Sequence, residues 1–301
     1  MIDVIENNQK IEEYHRQVLT LVNLPTLPII ATEIIRATRE DRVSVNQILP
    51  ILEKDPPLAM KVLKMANSAY YGIRERVTSL RHAVVIIGLE QLTGLALSFS
   101  VIKSVNNDQE QRKLYWRSFW EHSSATGTIA QMIAEDMGIN TPSNTYAAGL
   151  LHDIGKLVLY KLNSTKYGQA FDLCRESHIS SVEAETKVFD LTHELAGSWI
   201  SEKWKLPENI HNGISYHHQP DSIQEPEHQV LPALIQIADW IANHYSFKFG
   251  NFVTVLNPLD LKGWQLLKNH YDWLKDDNLN QYLNNVGDRM ESIREMIKML
   301  Y

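Results

Sequence analysis

Apolar positions along this chain recur at helical intervals, and no early stretch shows the sustained alternation of a strand. Residues 1 to 20 place Ile2, Ile5, Ile11, Tyr14 and Val18 in a loosely helical series. Leu24-Pro25-Thr26-Leu27-Pro28 ends it, because proline disfavours a helical residue before it. Helical spacing resumes over 29 to 39 with Ile30, Ile34 and Ile35 on one side. Ser44 is placed to cap a helix running to Lys54, and Asp55-Pro56 joins a cap residue to a proline at the first helical position. The stripe Leu58, Val62, Met65, Ala66 and Ala69 follows and stops near Gly72. Thr78-Ser79 opens another helix, interrupted at Gly88, and 89 to 104 read as a strongly apolar helix. The polar run Asn106 to Lys113 is either an internal boundary or an exposed helix end.

Beyond Leu114 the helical period continues. Tyr115, Trp116, Phe119 and His122 lead into a helix over Ala125 to Met137 that ends at Gly138. Thr141-Pro142 is the expected start of the next helix, which carries His152 and Asp153. Residues 166 to 177 and 181 to 189 read as helices, as do His193 to Trp204 and Glu208 to Tyr216. A polar loop over 219 to 229 precedes a helix from Leu231 to Tyr245 that holds Asp239. The tail, 246 to 301, reads as a short irregular stretch and then helices bearing Trp264, Leu267, Trp273, Met290, Ile293 and Met296. The pattern predicts an all-α protein: an N-terminal helical bundle (1 to 110) packed on a second helical region (111 to 245), with a C-terminal helical extension (246 to 301).

Composition narrows the function classes. The 301 residues contain 44% hydrophobic and 22% charged residues, ordinary for a globular protein with a substantial core. The net charge of -7 and the lack of a basic stripe argue against a nucleic-acid or anionic-membrane binder. The single cysteine, Cys174, excludes an internal disulfide and fits a reducing compartment. Asp3, Glu6, Glu12 and Glu13 leave no apolar signal segment near the start, and no run is long enough to span a bilayer, so a cytoplasmic location is expected.

The chemistry concentrates in Ala147-Ala148-Gly149-Leu150-Leu151-His152-Asp153-Ile154-Gly155-Lys156-Leu157. A histidine and an aspartate inside an apolar run are costly unless paired or bound to a metal. Further imidazoles and one further carboxylate lie in similar settings, at His122, His193, His217, His218 and Asp239. Imidazole with carboxylate suits Fe, Mn, Zn or Ni, and the group exceeds the needs of one tetrahedral ion, which points to two ions. Plainer readings stand beside this one. Asp153 caps a helix or pairs with a core histidine; His193 caps the helix after Leu191-Thr192; His217-His218 is an exposed helix end. Asp239, within the apolar run Leu234 to Ile241, lacks a comfortable plain reading. Trp116, Trp120 and Trp240 read as core, and His15, His82, His178, His211, His228, His244 and His270 as structural or surface residues.

The order His122, His152-Asp153, Asp239 resembles the HD superfamily of helical metal-dependent phosphohydrolases. Upstream, Leu24 to Pro28, Glu53-Lys54-Asp55-Pro56, Leu63 to Gly72 and Ser79 to Val84 with Ile87-Gly88-Leu89 resemble the HDOD family more closely. The resemblance covers roughly residues 20 to 245. It implies an all-helical bacterial regulatory or signalling protein that binds signalling proteins or a small phosphorylated ligand. The chain is also similar to the HD-GYP branch, which hydrolyses cyclic di-GMP at a metal site. By that likeness His122, His152, Asp153, His193, His217, His218 and Asp239 are ligand positions, Lys156 contacts phosphate, and Asp153 and Lys156 carry any catalysis. Two departures matter. Gln219-Pro220-Asp221-Ser222-Ile223 replaces the acidic residue and Gly-Tyr-Pro loop of that branch, which argues against cyclic di-GMP as substrate. Ser118 stands where trinuclear members place a glutamate, which argues for two metals. Two expectations follow: a regulatory metal-binding module, or a metal-dependent phosphohydrolase acting on a nucleotide or phosphodiester.

Overall fold

The computed structural model describes residues 2–20, 33, 44–89, 91–96, 110–141, 144–249 and 257–300. Among these residues every regular element is helical, as the apolar period predicts. The proline motif at 24 to 28, most of the helix expected over 29 to 39, and all but 91–96 of the apolar stretch after Glu90 lie outside the described residues.

The expected punctuation is physically in place. Helix α1 spans Ile2–Thr20. Helix α2, Val45–Leu52, starts after Ser44, whose amide is held by the Gln47 side chain at 2.8 Å. Helix α3, Pro56–Ala66, is capped by the Asp55 carboxylate accepting from the Leu58 amide at 3.1 Å. Helix α4, Leu80–Ile87, is capped by Ser79 and ends at Gly88, whose φ of 83° few other residues adopt. Helix α5 is longer than the sequence suggested. It runs unbroken from Glu110–Met137, so the end of the polar run Asn106 to Lys113 is helical. Helix α6 is Thr145–Leu151, with Asn144 at its start, and not a helix opened by Thr141-Pro142. Helix α7 is Ile154–Leu162. The expected single helix through His152-Asp153 is therefore two helices with a break between them, and the break carries both residues.

The remaining helices are α8 (Ser164–Ser177), α9 (Ser181–Phe189), α10 (His193–Lys203), α11 (Glu208–Tyr216), α12 (Pro226–His244), α13 (Lys262–His270) and α14 (Asp276–Leu300). Helix α12 begins within the expected loop, because Pro226 suits a first helical position. Trp273 lies between α13 and α14 and is 57% exposed, so it belongs to no helical stripe. Trp116, Trp120 and Trp240 are buried as expected.

Helix α5 is the spine. It packs on α6, on α12 and on α14. Helix α10 packs on α7, on α11 and on α1, so the first helix lies against the second region. Helix α14 returns to touch α3 and the short turn Ala69–Tyr71 as well as α5. Two glycine contacts set the spacing around the centre. A Cβ on Gly149 would meet the Gly127 Cα at 2.6 Å, so α5 and α6 cross backbone to backbone. A Cβ on Gly155 would meet the His193 carbonyl oxygen at 1.8 Å, so α7 and α10 do the same. No helix among the described residues is long and apolar enough to cross a membrane.

Candidate metal centre

The packing brings all of His122, His152, Asp153, His193, His217, His218 and Asp239 to one place. His122 comes from α5, His152 and Asp153 from the α6–α7 break, and His193 from the start of α10. His217 and His218 follow α11, and Asp239 lies on α12. Thr192 caps α10 by accepting from the Leu195 amide, so His193 is not the cap and its imidazole turns inward. His122, His152, Asp153, Lys156, His193 and His217 are almost completely buried. Asp239 is less enclosed than the sequence implied: its side chain is 16% exposed, and His218 is likewise half-buried. The centre therefore reaches the surface along the edge formed by these two residues.

The imidazole tautomers follow from their partners. A backbone carbonyl only accepts, so a ring nitrogen bonded to one carries the proton. His122 Nδ1 donates to the Phe247 carbonyl at 2.8 Å, His152 Nδ1 to Gly149 at 2.7 Å, and His217 Nδ1 to Ile214 at 3.0 Å. His193 Nδ1 donates to the Glu185 carboxylate at 2.7 Å. In the neutral rings the Nε2 lone pairs then point inward. They meet other lone pairs. His122 Nε2 lies 3.0 Å from Asp239 Oδ1, and His193 Nε2 lies 3.3 Å from His217 Nε2. Neither His122 Nε2 nor His152 Nε2 has a hydrogen-bond partner; the 3.0 Å approach to Asp239 is proximity without hydrogen-bond alignment. Converging lone pairs repel unless a proton or a cation lies among them.

Asp153 stands between two ligand groups. Its Oδ2 is 3.4 Å from His152 Nε2 and 3.6 Å from His122 Nε2, while Oδ1 is 3.3 Å from His193 Nε2 and 3.8 Å from His217 Nε2. Donors about 2.1 Å from one ion and about 90–110° apart lie about 3.0–3.4 Å from each other, so the observed spacings are those of ligand shells drawn slightly open. One group is His122, His152 and Asp153, and the other is His193, His217 and His218. Lys156 donates to Asp153 Oδ2 at 2.7 Å. It lies one turn after Asp153 in the new helix, not one turn after His152 in a continuous one. Its ammonium sits 6.0 Å above the centre of the Phe249 ring.

Electrostatics of the protein groups favour the ligand forms of His152, His217, His218, Asp153 and Asp239, and oppose them at His122 and His193. Burial and the neighbouring imidazoles hold His152 and His217 below the usual histidine range, and burial with His193 pushes His218 down to about 3. Burial alone raises Asp153, but Lys156 and the imidazoles prevail and hold it well below the usual carboxylate range. Asp239 is likewise lowered to about 2, the His122 imidazole beside it outweighing burial. For His122 and His193 burial opposes protonation, yet Asp239 and Glu185 outweigh it and raise them. Neutral imidazoles and ionised carboxylates are the forms that bind a cation.

Sequence reasoning missed the residues that hold these ligands. Glu185 accepts from both the amide and Nδ1 of His193, at 2.8 and 2.7 Å. Glu194 accepts from the His218 amide at 3.2 Å, and its carboxyl is raised by burial. Gln236 donates to the His218 carbonyl at 2.9 Å, and Asn243 donates to Asp239 Oδ1 at 2.9 Å. No local signal marks Glu185, which lies on α9 eight residues before His193 and is buried only in the fold. Ser118 lies on α5 one turn before His122, and Gln219 is exposed beyond His218. Of the histidines expected to be structural, His211 is half-buried against Ser201 at 2.6 Å, and His178 ends α8 at a φ of 54°.

An all-helical fold that gathers imidazoles and carboxylates from five segments around a shared centre is of the HD type. The family model described as the HDOD domain matches residues 24–220, and this chain belongs to that family. The match includes six of the seven candidate ligands and stops short of Asp239. An uncharacterised protein of Treponema pallidum (strain Nichols) is 27% identical over 197 residues, 65% of this chain; the matched part is only 38% of that protein. The solved HDOD protein of Geobacter sulfurreducens, itself of unknown function, superposes with a TM-score of 0.79 at 24% identity, covering 95% of this chain and 99% of that one. A provisionally named signal transduction protein of Marinobacter aquaeolei VT8 gives 0.75 at 23% identity, over 98% of this chain and 66% of that one. A provisionally named phosphohydrolase of Shewanella amazonensis SB2B gives 0.67 at 21% identity, over 98% of each chain. At these identities the structures share the fold.

Proposed function

We propose that this HDOD protein is a cytoplasmic regulatory protein whose HD-like centre binds two divalent transition-metal ions. One ion would be held by His122, His152, Asp239 and one oxygen of Asp153, and the other by His193, His217, His218 and the second oxygen of Asp153. The observation that carries this reading is the direction of the imidazoles. Four of them give Nδ1–H to fixed acceptors and aim Nε2 at one another and at two carboxylates. Metal ligands are held in this way by their outer partners. The metals would cross-link five separate segments, which suits a module that presents one rigid surface to a signalling protein or a small phosphorylated molecule. Fe, Mn, Zn or Ni fits the donor set.

A second reading, a metal-dependent phosphohydrolase, is favoured by one feature: the centre opens at His218 and Asp239. Bound ions there would supply Lewis acidity and an activated water. Lys156 would meet phosphate charge while keeping Asp153 ionised. The regulatory reading leads because Lys156 is enclosed and already bonded to Asp153, and because Gln219 replaces an acidic residue at the open edge.

The test is metal analysis of protein purified without chelator or added metal, followed by hydrolysis of bis(4-nitrophenyl) phosphate. About two equivalents of metal with no turnover support the regulator. Turnover that disappears in Asp153→Asn supports the hydrolase. Absence of metal, with a melting midpoint indifferent to chelator, overturns both.

A further inference from the structure

Away from the metal centre lies a cavity of about 620 Å³, within the range of small-molecule sites. Its floor is Val230 and Leu231, which are 6% and 3% exposed. Its walls come from four places: the turn after α5, the first turns of α11 and α12, and the end of α13. None of its lining residues belongs to the metal centre.

The chemistry of the lining selects the sign of the occupant. Among the described residues, Glu208 and Glu227 supply two carboxylates and no Lys or Arg lines the cavity; the imidazoles of His228, whose Nδ1 lies 3.7 Å from Glu208 Oε1, and His270 complete the polar lining. The first turns of two helices would ordinarily attract an anion. Here each carries its own carboxylate, whose full charge exceeds the roughly half-unit positive charge of a helix start and leaves the rim net negative. A phosphate or carboxylate entering the cavity meets like charge. The amides of Asn209 and Asn212 line the same wall, and the ring of Tyr271 offers an aromatic face. Tyr271 is braced, donating its hydroxyl to the Asn140 carbonyl at 3.1 Å and packing its ring 4.9 Å from that of Trp273. An apolar floor, amide walls and a carboxylate rim suit a molecule with an apolar body and a cationic, hydrogen-bonding head.

We propose that this cavity is a binding site for a small organic cation bearing a guanidinium or primary amine. The carboxylates of Glu208 and Glu227 take the cationic head, Val230 and Leu231 take the aliphatic body, and Asn212 reads its N–H groups. The site is independent of metal loading in its chemistry. Its position suits an input, because α11 starts at the cavity and runs for nine residues, about 13 Å, before handing on to His217.

Agmatine, a short aliphatic chain with a guanidinium and an amine, is the probe. Calorimetric titration of the full chain, with metal and after chelation, should give saturable binding with a millimolar or tighter Kd. Butylurea, its neutral counterpart, and phenyl phosphate, an anion, should bind at least about tenfold more weakly. Glu208→Gln combined with Glu227→Gln should weaken agmatine by about fivefold or more with an unchanged circular dichroism spectrum. Asn212→Trp, which fills the cavity, should abolish binding. No saturable agmatine binding overturns the proposal, as does binding that ignores both variants or is matched by phenyl phosphate. Failure here leaves the metal reading untouched, because metal content is measured separately on the same samples.

Discussion

Gly155→Ala is the sharpest test of how the fold builds the centre. Helices α7 and α10 touch at this glycine. An added Cβ would lie 1.8 Å from the His193 carbonyl oxygen and 2.7 Å from the Gly197 nitrogen, whereas real Cβ atoms stay beyond 3.0 Å. The helices must therefore part locally by at least 1.2 Å (3.0 Å less 1.8 Å). Both obstructing atoms are backbone, so no side chain can swing aside. Two effects compete. Alanine is favoured over glycine in a helix interior by about 1 kcal/mol, and by less in a first turn such as this. Overpacking a core costs about 1–3 kcal/mol, and a forced backbone separation belongs at the upper end. Strain wins by about 2 kcal/mol. At about 2.1 cal/mol/K of unfolding entropy per residue, 1 kcal/mol corresponds to about 1.6 °C in a chain of 301 residues, and the midpoint falls by about 3 °C.

The same displacement acts on His193, whose Nε2 sits 3.3 Å from Asp153 Oδ1. Metal sites tolerate about 0.2 Å of ligand error, so affinity should fall by at least about tenfold. Differential scanning fluorimetry with and without chelator, together with metal analysis, measures both effects. A midpoint equal to or above wild type, with unchanged metal content, refutes the reasoning: the crossing would then relax without strain. A lowered midpoint with intact metal content refutes only the link from the crossing to the centre.

Asp239→Asn should lower both metal content and the chelator-sensitive part of the midpoint, since it removes a charged donor. If Asp239 serves only a buried hydrogen bond, Asn will keep the stability and chelator will change nothing. Lys156→Met leaves the buried Asp153 carboxylate without its ammonium and should cost about 3–5 kcal/mol in urea unfolding; a loss under about 1 kcal/mol would show that the pair is not structural. Asp276 at the start of α14 accepts from Lys268 and Trp264, which lower its carboxyl, so its contribution is present above about pH 4 and lost as pH falls through the folded value. Melting from pH 6 to 3 should show an acid-side decline that shrinks in Asp276→Asn, and equal declines would remove the assignment. Lys187→Ala breaks an exposed pair with Glu183 and should shift stability by no more than about 0.5 kcal/mol.

The fold was legible wherever a cap or a glycine punctuated an apolar stripe. Ser44, Asp55, Ser79 and Gly88 mark the ends they were expected to mark, because these signals act within one turn. The break at His152-Asp153 was not legible. Ala147 to Leu157 holds no proline, and Gly149 and Gly155 read equally well as helix-packing residues, which is what their contacts make them. The seven candidate ligands were legible because polar groups in apolar runs stand out. The spacing of the centre was not. It depends on the α5–α6 and α7–α10 crossings, which no local pattern encodes.

The residues that aim the ligands were invisible for the same reason. Glu185 reaches His193 across the turn at Asp190, whose φ of 58° ends α9 three residues before α10 begins. From the sequence, a glutamate among Val182, Ala184 and Val188 is an ordinary solvated position. In the fold it is 3% exposed and bonded to an imidazole. The tail behaves alike. Arg294 on α14 donates to the Tyr245 carbonyl at 2.9 Å and lies 4.3 Å from the centre of the Phe247 ring. The Phe247 carbonyl in turn accepts the hydrogen bond from His122 Nδ1. A helix that sequence patterning treats as an extension thus braces the segment that orients a ligand on the spine. The ligand types are a local property of the chain; the aim of His152, His193 and His217 is set by partners three to eight residues away, and that of His122 by Phe247, far along the chain.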